Sequence, residues 1–236
     1  PELAGLCLVE VVEFSNIPSP HMNPQLMFKL AHLVDELAMR EDVAGIVITH
    51  GTDTLEETAY MLDLTVETNK PVCLTAAMRS SAESSPDGPK NILCAVKAAI
   101  CPKLVDAGVV VVMNEEIHAA VEVTKTHSAN TKTFASPFWG PVGYVDTDKV
   151  IVRRKSLTLQ KIHTKEIIDD VYLIKVVAGL DDFFFRCLIE KKVKGIVVEG
   201  LGRGNVNPAV KAGIIAAIDS GIPVVLATRV YSGRVL

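Results

Sequence analysis

A short apolar run that ends in a polar, glycine-containing turn constrains the fold of this chain more than any other stretch. Residues 43–48 are mostly apolar, and a helical pattern begins at about Thr54. Between them, Gly51 allows a sharp turn and a close approach of the backbone to a ligand. Open α/β sheets bind ligands at such joints between strand and helix. We therefore expect Thr52 and Asp53 to project into a binding site.

The start of the following helix is also marked. Thr54 and Glu57 have the spacing of a capping box, and the free N–H groups of a helix N-terminus suit a carboxylate. The alternative is that Thr52, Asp53 and Thr54 only cap the helix, as these residue types usually do. This stretch alone leaves both interpretations open.

Strand and helix patterns alternate through the first part of the chain. Strands are predicted at residues 9–14, 43–48, 71–76 and 108–113, and helices after Asn23, from Thr54 and from Pro89. Asn23 is a typical N-cap and Pro24 a typical first helical residue. This alternation predicts a parallel sheet covered on both faces. Residues 117–126 are less regular and are predicted to form a hairpin.

The pattern restarts in the last third of the chain. Strands are predicted at residues 171–176, 195–199 and 223–228, and helices at residues 181–192 and 207–220. The fold class is therefore α/β, with a larger N-terminal doubly wound, mainly parallel sheet and a smaller C-terminal parallel α/β domain. The predicted domains are 1–145, a basic linker at 146–168, and 169–236, which has no final helix to cover it.

Composition limits the classes of partner. The net charge of −4 gives no electrostatic reason to expect nucleic acid or an anionic membrane as a partner. The longest notable apolar run, residues 107–113, is far shorter than a membrane span. The five cysteines have no metal-ligand spacing, and we interpret them as reduced and mostly buried, in a cytoplasmic protein. A secreted or periplasmic setting stays open because Pro1 does not resemble a native N-terminus.

Several residues that could suggest a site are assigned to the scaffold. His21, His50 and His118 lack the pairing of metal ligands and are interpreted as loop or core residues. Trp139 stands beside a Gly-Pro pair and is interpreted as packing at a turn. The sequence therefore predicts neither a metal nor a cofactor.

Chemically useful side chains follow several predicted strands. If the sheet binds at the carboxyl ends of its strands, Ser19, Thr52, Asp53, Ala77 and Lys125 converge. A lone lysine is usually a solvated charge. Beside a threonine and an aspartate, however, a lysine can activate a hydroxyl or a water for attack on a carbonyl carbon, with the carboxylate orienting the lysine.

At these residues the chain resembles the bacterial L-asparaginases, of the asparaginase/glutaminase family and type II-like. Residues 48–59, Ile-Thr-His-Gly-Thr-Asp-Thr-Leu-Glu-Glu-Thr-Ala, are similar to the second signature of the family. Residues 76–79 with 87–91 resemble its following loop and helix, 122–126 its lysine segment, and 200–205 its C-terminal-domain loop. The segments occur in family order over nearly the whole chain.

The resemblance implies a two-domain hydrolase that converts L-asparagine to L-aspartate and ammonia with a threonine nucleophile and without metal or cofactor. L-Glutamine would be at most a weaker substrate. By this resemblance Thr52 matches the second catalytic threonine, Asp53 the substrate-binding aspartate and Lys125 the catalytic lysine. Ser19 matches the serine that holds the substrate's α-carboxylate, and Ala77 a position whose backbone contacts the substrate.

The resemblance also implies an assembly. Asn205 matches an asparagine that reaches into the neighbouring subunit's site, which implies a homotetramer of intimate dimers.

The chain departs from the family near its N-terminus, at its C-terminal end and at Pro20. The N-terminal Thr-Gly-Gly-Thr segment with the nucleophilic threonine is absent, as is the lid tyrosine after it, and so is the C-terminal end with an intersubunit glutamate. Pro20 stands where relatives carry a polar residue that binds the substrate's amine.

From these departures we expect the chain to be the interior of a longer enzyme and to be inactive or unfolded as written. Pro20 leaves the preference between asparagine and glutamine open.

One alternative function is the asparaginase-like subunit of a tRNA-dependent amidotransferase, and another is a catalytically dead relative that acts in binding or assembly. A dinucleotide site at residues 200–205 is disfavoured, because Asn205 occupies the place of the last glycine.

Overall fold

The computed structural model describes residues 3–156 and 160–236 and divides the chain into two compact units, Pro1–Lys165 and Glu166–Leu236. The helices of the first unit are α1 (Pro24–Ala38), α2 (Leu55–Thr65) and α3 (Gly88–Ala99), with short 3-10 turns at Leu3–Gly5, Ser19–His21 and Pro102–Leu104. Its strands are β1 (Ile46–Thr49), β2 (Val72–Thr75), β3 (Val109–Met113), β4 (Glu116–Ala119), β5 (Thr124–Lys125), β6 (Phe134–Ala135), β7 (Gly143–Val145) and β8 (Val150–Val152).

The main sheet of the first unit is mixed. Its order is β1-β2-β3-β4-β7-β8, with parallel pairing among β1, β2 and β3 and antiparallel pairing beyond β3. Thr49 pairs with Thr75, so β1 and β2 end level with each other. The turns that follow these two strands therefore leave the sheet at the same edge.

Alternation along the parallel strands covers both faces of the sheet. Val72 and Leu74 belong to a buried cluster that contains residues of α1 and α2. Cys73, between them, belongs to a second buried cluster that contains residues of α3. The strands are therefore apolar on both sides, which is the pattern of a doubly wound α/β sheet.

Helix α1 begins as the sequence predicts. Asn23 has extended backbone angles and its side chain accepts a hydrogen bond from the backbone N–H of Leu26 at 2.9 Å. Pro24 occupies the first helical position, where its missing N–H has no intrahelical partner to lose.

Other predictions for the first unit are wrong. Residues 7–18 form neither helix nor strand, so the strand predicted at 9–14 is absent, and the side chain of Val11 is exposed. β-branched residues form a strand only where a neighbouring ladder pairs with them. Residues 117–126 do not form one hairpin, because β4 pairs with β3 and β5 pairs with β6. Trp139 is 71% exposed and so does not pack at its turn.

The second unit has a three-stranded parallel sheet in the order β11-β10-β9. The strands are β9 (Val171–Lys175), β10 (Gly195–Gly200) and β11 (Val224–Thr228), and the helices are α4 (Phe183–Lys191) and α5 (Pro208–Asp219). Buried residues of both helices and of the strands share one apolar cluster around Phe185 and Val198. The smaller parallel α/β unit predicted from the sequence is therefore present.

The stretch predicted as a linker, 146–168, lies mostly in the first unit and includes β8. Residues 157–159 of that stretch are outside the described residues. All five cysteines are free, but Cys187 is exposed, which corrects the view that it is buried. Within the described parts of the chain, no helix is long and apolar enough to cross a membrane, and no group of His, Cys, Asp or Glu could hold a metal ion.

One buried titratable group lies in the core of the first unit. His118, on β4, is 1% exposed. Its Nδ1 lies 3.1 Å from Ser136 Oγ and its Nε2 lies 3.4 Å from Glu116 Oε2. Burial lowers the pKa of the imidazole from its ordinary value, although the nearby Glu116 carboxylate opposes that shift. The folded protein therefore favours neutral His118.

This burial predicts a dependence of stability on pH. Below about pH 6.5 the unfolded chain takes up a proton on His118 that the folded chain resists, so the free energy of unfolding falls as the pH falls. The slope from this proton is at most about 1.4 kcal/mol per pH unit. His118→Asn should remove this part of the slope, and His21→Asn, at an exposed position, should not. Urea unfolding at several pH values measures it, and an unchanged slope in His118→Asn contradicts the assignment.

Candidate active site

A lysine, a threonine and an aspartate meet where β1 gives way to α2. Thr52 and Asp53 lie in the turn between these elements, and Lys125 lies on β5, far along the chain. Lys125 Nζ donates hydrogen bonds to Thr52 Oγ1 at 2.9 Å and to Asp53 Oδ1 at 2.7 Å. The lysine side chain is 18% exposed, whereas that of Asp53 is 57% exposed. The cation is thus held on the protein side, and the carboxylate faces solvent.

This arrangement can activate oxygen. A positive charge at hydrogen-bond distance from Thr52 Oγ1 stabilises negative charge that develops when the hydroxyl loses its proton. Asp53 holds the lysine head in place through the second hydrogen bond and balances its charge. The exposed part of the Asp53 carboxylate can still bind a cationic group of a ligand.

Ser19 joins this turn from another segment. It is 7% exposed, at the start of the 3-10 turn Ser19–His21. Its Oγ accepts a hydrogen bond from the backbone N–H of Asp53 at 3.2 Å, and its carbonyl accepts one from the Thr54 hydroxyl at 2.8 Å. The Thr54 hydroxyl makes no cap to α2, so the predicted capping box with Glu57 is wrong.

Gly51 is required by this close approach. A Cβ built on Gly51 would lie 2.6 Å from Ser19 Oγ and 2.7 Å from Ser19 Cβ, well inside the contact distance. Beside this point lies a cavity of about 230 Å³ whose lining includes Ser19, Thr49 and Gly51. The small residue therefore lets two chain segments meet at the wall of a cavity.

Ala77 lies at the same sheet edge as Thr52, because it follows β2 and the ends of β1 and β2 are level. It is exposed, and the loop after it is fixed. The Asp87 carboxylate accepts hydrogen bonds from the backbone N–H groups of Met78 at 3.0 Å and Arg79 at 2.9 Å. The backbone around Ala77 is thereby held in one conformation.

Asn205 belongs to the second unit. It follows β10 and forms a bridge with Leu201, whose N–H donates to the Asn205 carbonyl at 2.7 Å. The structure thus brings Ser19, Thr52, Asp53 and Lys125 together, and places Ala77 at their sheet edge. The bridge that Asn205 forms with Leu201 lies within the second unit.

Two contacts around this turn were not predicted from the sequence, although His50 itself was interpreted as a loop or core residue and does lie in the loop after β1. Glu56 accepts a hydrogen bond from the backbone N–H of Lys125. His50 Nδ1 lies 2.7 Å from the Gly51 carbonyl and its Nε2 lies 3.1 Å from the Thr58 hydroxyl, so the ring ties the turn to α2. The position of Glu56 in the first turn of α2, three residues after Asp53, is the signal that could have found it.

Comparison with known proteins points to one family. Residues 1–158 match the family model "Asparaginase, N-terminal", and residues 170–236 match the "Glutaminase/Asparaginase C-terminal domain". L-asparaginase 2 of Bacillus subtilis (strain 168) is 36% identical over 244 residues, which span 100% of this chain and 64% of that protein. The chain therefore spans less than two thirds of the length of this relative.

Two further similar proteins differ in the compartment that their names give. The probable periplasmic L-asparaginase of Haemophilus influenzae is 37% identical over 239 residues, 99% of this chain and 68% of that protein. The crystal structure of the probable cytoplasmic L-asparaginase from Campylobacter jejuni superposes with a TM-score of 0.89 at 35% identity, over 94% of this chain and 71% of that chain.

The contact at Gly51 predicts the effect of a single methyl group. Gly51→Ala forces Ser19 away from the turn, and overpacking of this kind costs about 1–3 kcal/mol of unfolding free energy. The Asp53 amide should also exchange its hydrogen faster, because its acceptor moves. Urea unfolding and amide exchange measure both effects. Gly5→Ala is the matched control, since a Cβ at Gly5 meets open space; equal stability of the two variants contradicts the prediction.

Proposed function

The chain belongs to the asparaginase family, and from this we propose that its site hydrolyses the side-chain amide of L-asparagine to give L-aspartate and ammonia. The observation that carries the proposal is the pair of hydrogen bonds from Lys125 Nζ to Thr52 Oγ1 and Asp53 Oδ1. Amide hydrolysis needs an activated oxygen nucleophile and a proton for the leaving nitrogen.

In the proposed mechanism Thr52, Lys125 and Asp53 act as one relay. The Thr52 oxygen takes the proton of the nucleophile that attacks the amide carbon, while its own proton passes to the leaving nitrogen, and the Lys125 ammonium stabilises the negative charge that develops on the Thr52 oxygen. The carbon–nitrogen bond then breaks, and the nitrogen leaves as ammonia after taking up a proton. Water supplies the second oxygen of the product carboxylate. The resemblance assigns the attacking oxygen to a threonine in a segment that the 236 residues do not contain.

Substrate recognition is proposed at the rim of the same turn. The Ser19 hydroxyl and the backbone near Ala77 would bind the substrate's α-carboxylate and its amide end, and the exposed Asp53 carboxylate would bind the α-ammonium. Pro20 has no polar side chain, so it offers the amine no hydrogen bond from a side chain. We therefore propose L-asparagine as the preferred substrate and L-glutamine as a weaker one.

We extend the proposal to assembly and compartment. Asn205 would complete the site of a neighbouring subunit in a homotetramer of intimate dimers. A cytoplasmic location is supported by five free cysteines and by the name of the Campylobacter jejuni protein. The name of the Haemophilus influenzae relative provides the periplasmic alternative.

The first experiment measures ammonia release from L-asparagine and from L-glutamine. The natural full-length protein and the 236-residue chain are assayed in parallel. Activity in the full-length protein alone supports the family mechanism and a nucleophile outside residues 1–236. Activity in neither protein refutes the proposed function and favours the amidotransferase or binding alternatives. Activity in the 236-residue chain means that Thr52 itself can act as the nucleophile.

Removing the lysine charge tests the relay. In the full-length protein Lys125→Met should lower kcat by about 10²–10³-fold, the range for losing one group that stabilises developing charge, and should leave substrate binding largely intact. Steady-state kinetics of ammonia release measure this. Lys132→Met is the matched control, because Lys132 lies near the start of β6 and pairs instead with Glu116 at 2.9 Å. Full activity in Lys125→Met contradicts the mechanism.

The proposed shared site predicts a different kinetic signature. Asn205→Ala should raise KM by about 2- to 10-fold, the effect of one lost neutral hydrogen bond, and leave the assembly a tetramer. Steady-state kinetics and sedimentation velocity on the same sample separate the two effects. An unchanged KM in a tetrameric variant argues against a site shared between subunits.

A further inference from the structure

A carboxylate holds the backbone of the lysine as well as its head group. Glu56 lies in the first turn of α2. One of its oxygens, Oε2, accepts a hydrogen bond from the backbone N–H of Lys125 at 2.5 Å. The proposed relay uses the side chain of Lys125 and gives no role to this second contact.

The hairpin alone leaves this N–H without a partner. β5 is two residues long and pairs with β6 in antiparallel register, with Lys125 opposite Phe134. The N–H of the next residue, Thr126, donates to the Thr133 carbonyl at 2.7 Å. Hydrogen-bonded and non-hydrogen-bonded pairs alternate along an antiparallel ladder, so the N–H of Lys125 points away from β6. Glu56 is the acceptor that it finds there.

We propose that Glu56 is a positioning residue that fixes the backbone of Lys125, so that its ammonium reaches Thr52 and Asp53 together. This inference rests on the proposed amidohydrolase function. The backbone and the ammonium of Lys125 are then both bound at the N-terminal end of α2. Thr52 and Asp53 lie just before its N-cap, Thr54, and Glu56 lies in its first turn. A shift of the hairpin relative to α2 is resisted at the backbone and at the head group.

Positioning matters here because a lysine side chain is long and flexible. Its four-carbon stem rotates readily, and a displacement of about 1 Å at a reacting group can cost about 10²-fold in rate. A two-residue strand, with one ladder edge, gives little resistance to such a displacement. The hydrogen bond from the Lys125 N–H to Glu56 restrains β5 on the side that faces away from β6.

Two substitutions separate reach from charge. Glu56→Gln keeps the chain length and an acceptor oxygen but removes the charge. Glu56→Asp keeps the charge near the helix N-terminus but shortens the reach by one methylene. If Glu56 acts by positioning, Glu56→Gln should behave nearly as wild type and Glu56→Asp should not. If Glu56 acts through its charge, the order is reversed.

The kinetic test uses the natural full-length protein. We expect Glu56→Asp to lower kcat by about 10- to 100-fold, the value of one hydrogen bond to a charged acceptor, with KM changed by less than about twofold. Glu56→Gln should restore kcat to within about threefold of wild type. Glu57→Asp is the matched control on the same helix turn, because its carboxylate makes no bond to Lys125 among the described residues. A Glu56→Asp protein with wild-type kcat overturns the inference.

A second measurement does not depend on activity. Hydrogen exchange at the Lys125 amide should be slow in wild type, and about tenfold or more faster in Glu56→Asp, but unchanged in Glu57→Asp. A wild-type amide that exchanges freely overturns the inference and leaves the proposed function intact. Faster exchange without a fall in kcat does the same. A wild type that releases no ammonia from either amide refutes the proposed function and, with it, the role of Glu56 in that reaction.

Discussion

The ammonium of Lys125 is shared between a hydroxyl and a carboxylate, and the arrangement of the first unit is what permits this. The side chain of Lys125 is 18% exposed, and an ammonium on a mostly buried side chain needs charged or polar partners in the protein. Thr52 Oγ1 and Asp53 Oδ1 are those partners, at 2.9 and 2.7 Å. The cation is therefore held at hydrogen-bond distance from the Thr52 oxygen, which is the geometry that the proposed relay needs.

The sheet supplies the fixed frame for that contact. Parallel pairing brings the carboxyl ends of β1 and β2 level, through Thr49 and Thr75. Apolar residues on both faces bury these strands under α1, α2 and α3, so the two turns start from backbone that cannot shift independently. The loop after β2 is tied by the Asp87 carboxylate, which accepts hydrogen bonds from two of its backbone N–H groups. Rigid strands and short polar ties together fix the two turns at this edge of the sheet.

Much of this could be predicted from the sequence, since the signals are local. The apolar runs, Asn23 and Pro24 fixed the order and starts of several elements, and the turn after residues 43–48 marked the sheet edge. The strand expected at residues 9–14 failed, because β-branched residues need a paired neighbour that a local pattern does not reveal. The prediction that Trp139 packs at its turn was wrong for a related reason, because the burial of a side chain depends on which distant segment covers it.

The same limit explains the errors at the site. The Thr54 hydroxyl was expected to accept a capping hydrogen bond from its own helix, but it makes no such bond and donates instead to the Ser19 carbonyl, 35 residues earlier. The hydrogen bond from the Lys125 backbone N–H to Glu56 joins residues that are 69 positions apart. Both contacts form only after a long loop has closed and has brought the two residues together. Local spacing can therefore nominate the residues of such a site, but the hydrogen bonds that hold them in place form only when distant segments pack together, and the role proposed for Lys125 depends on those bonds.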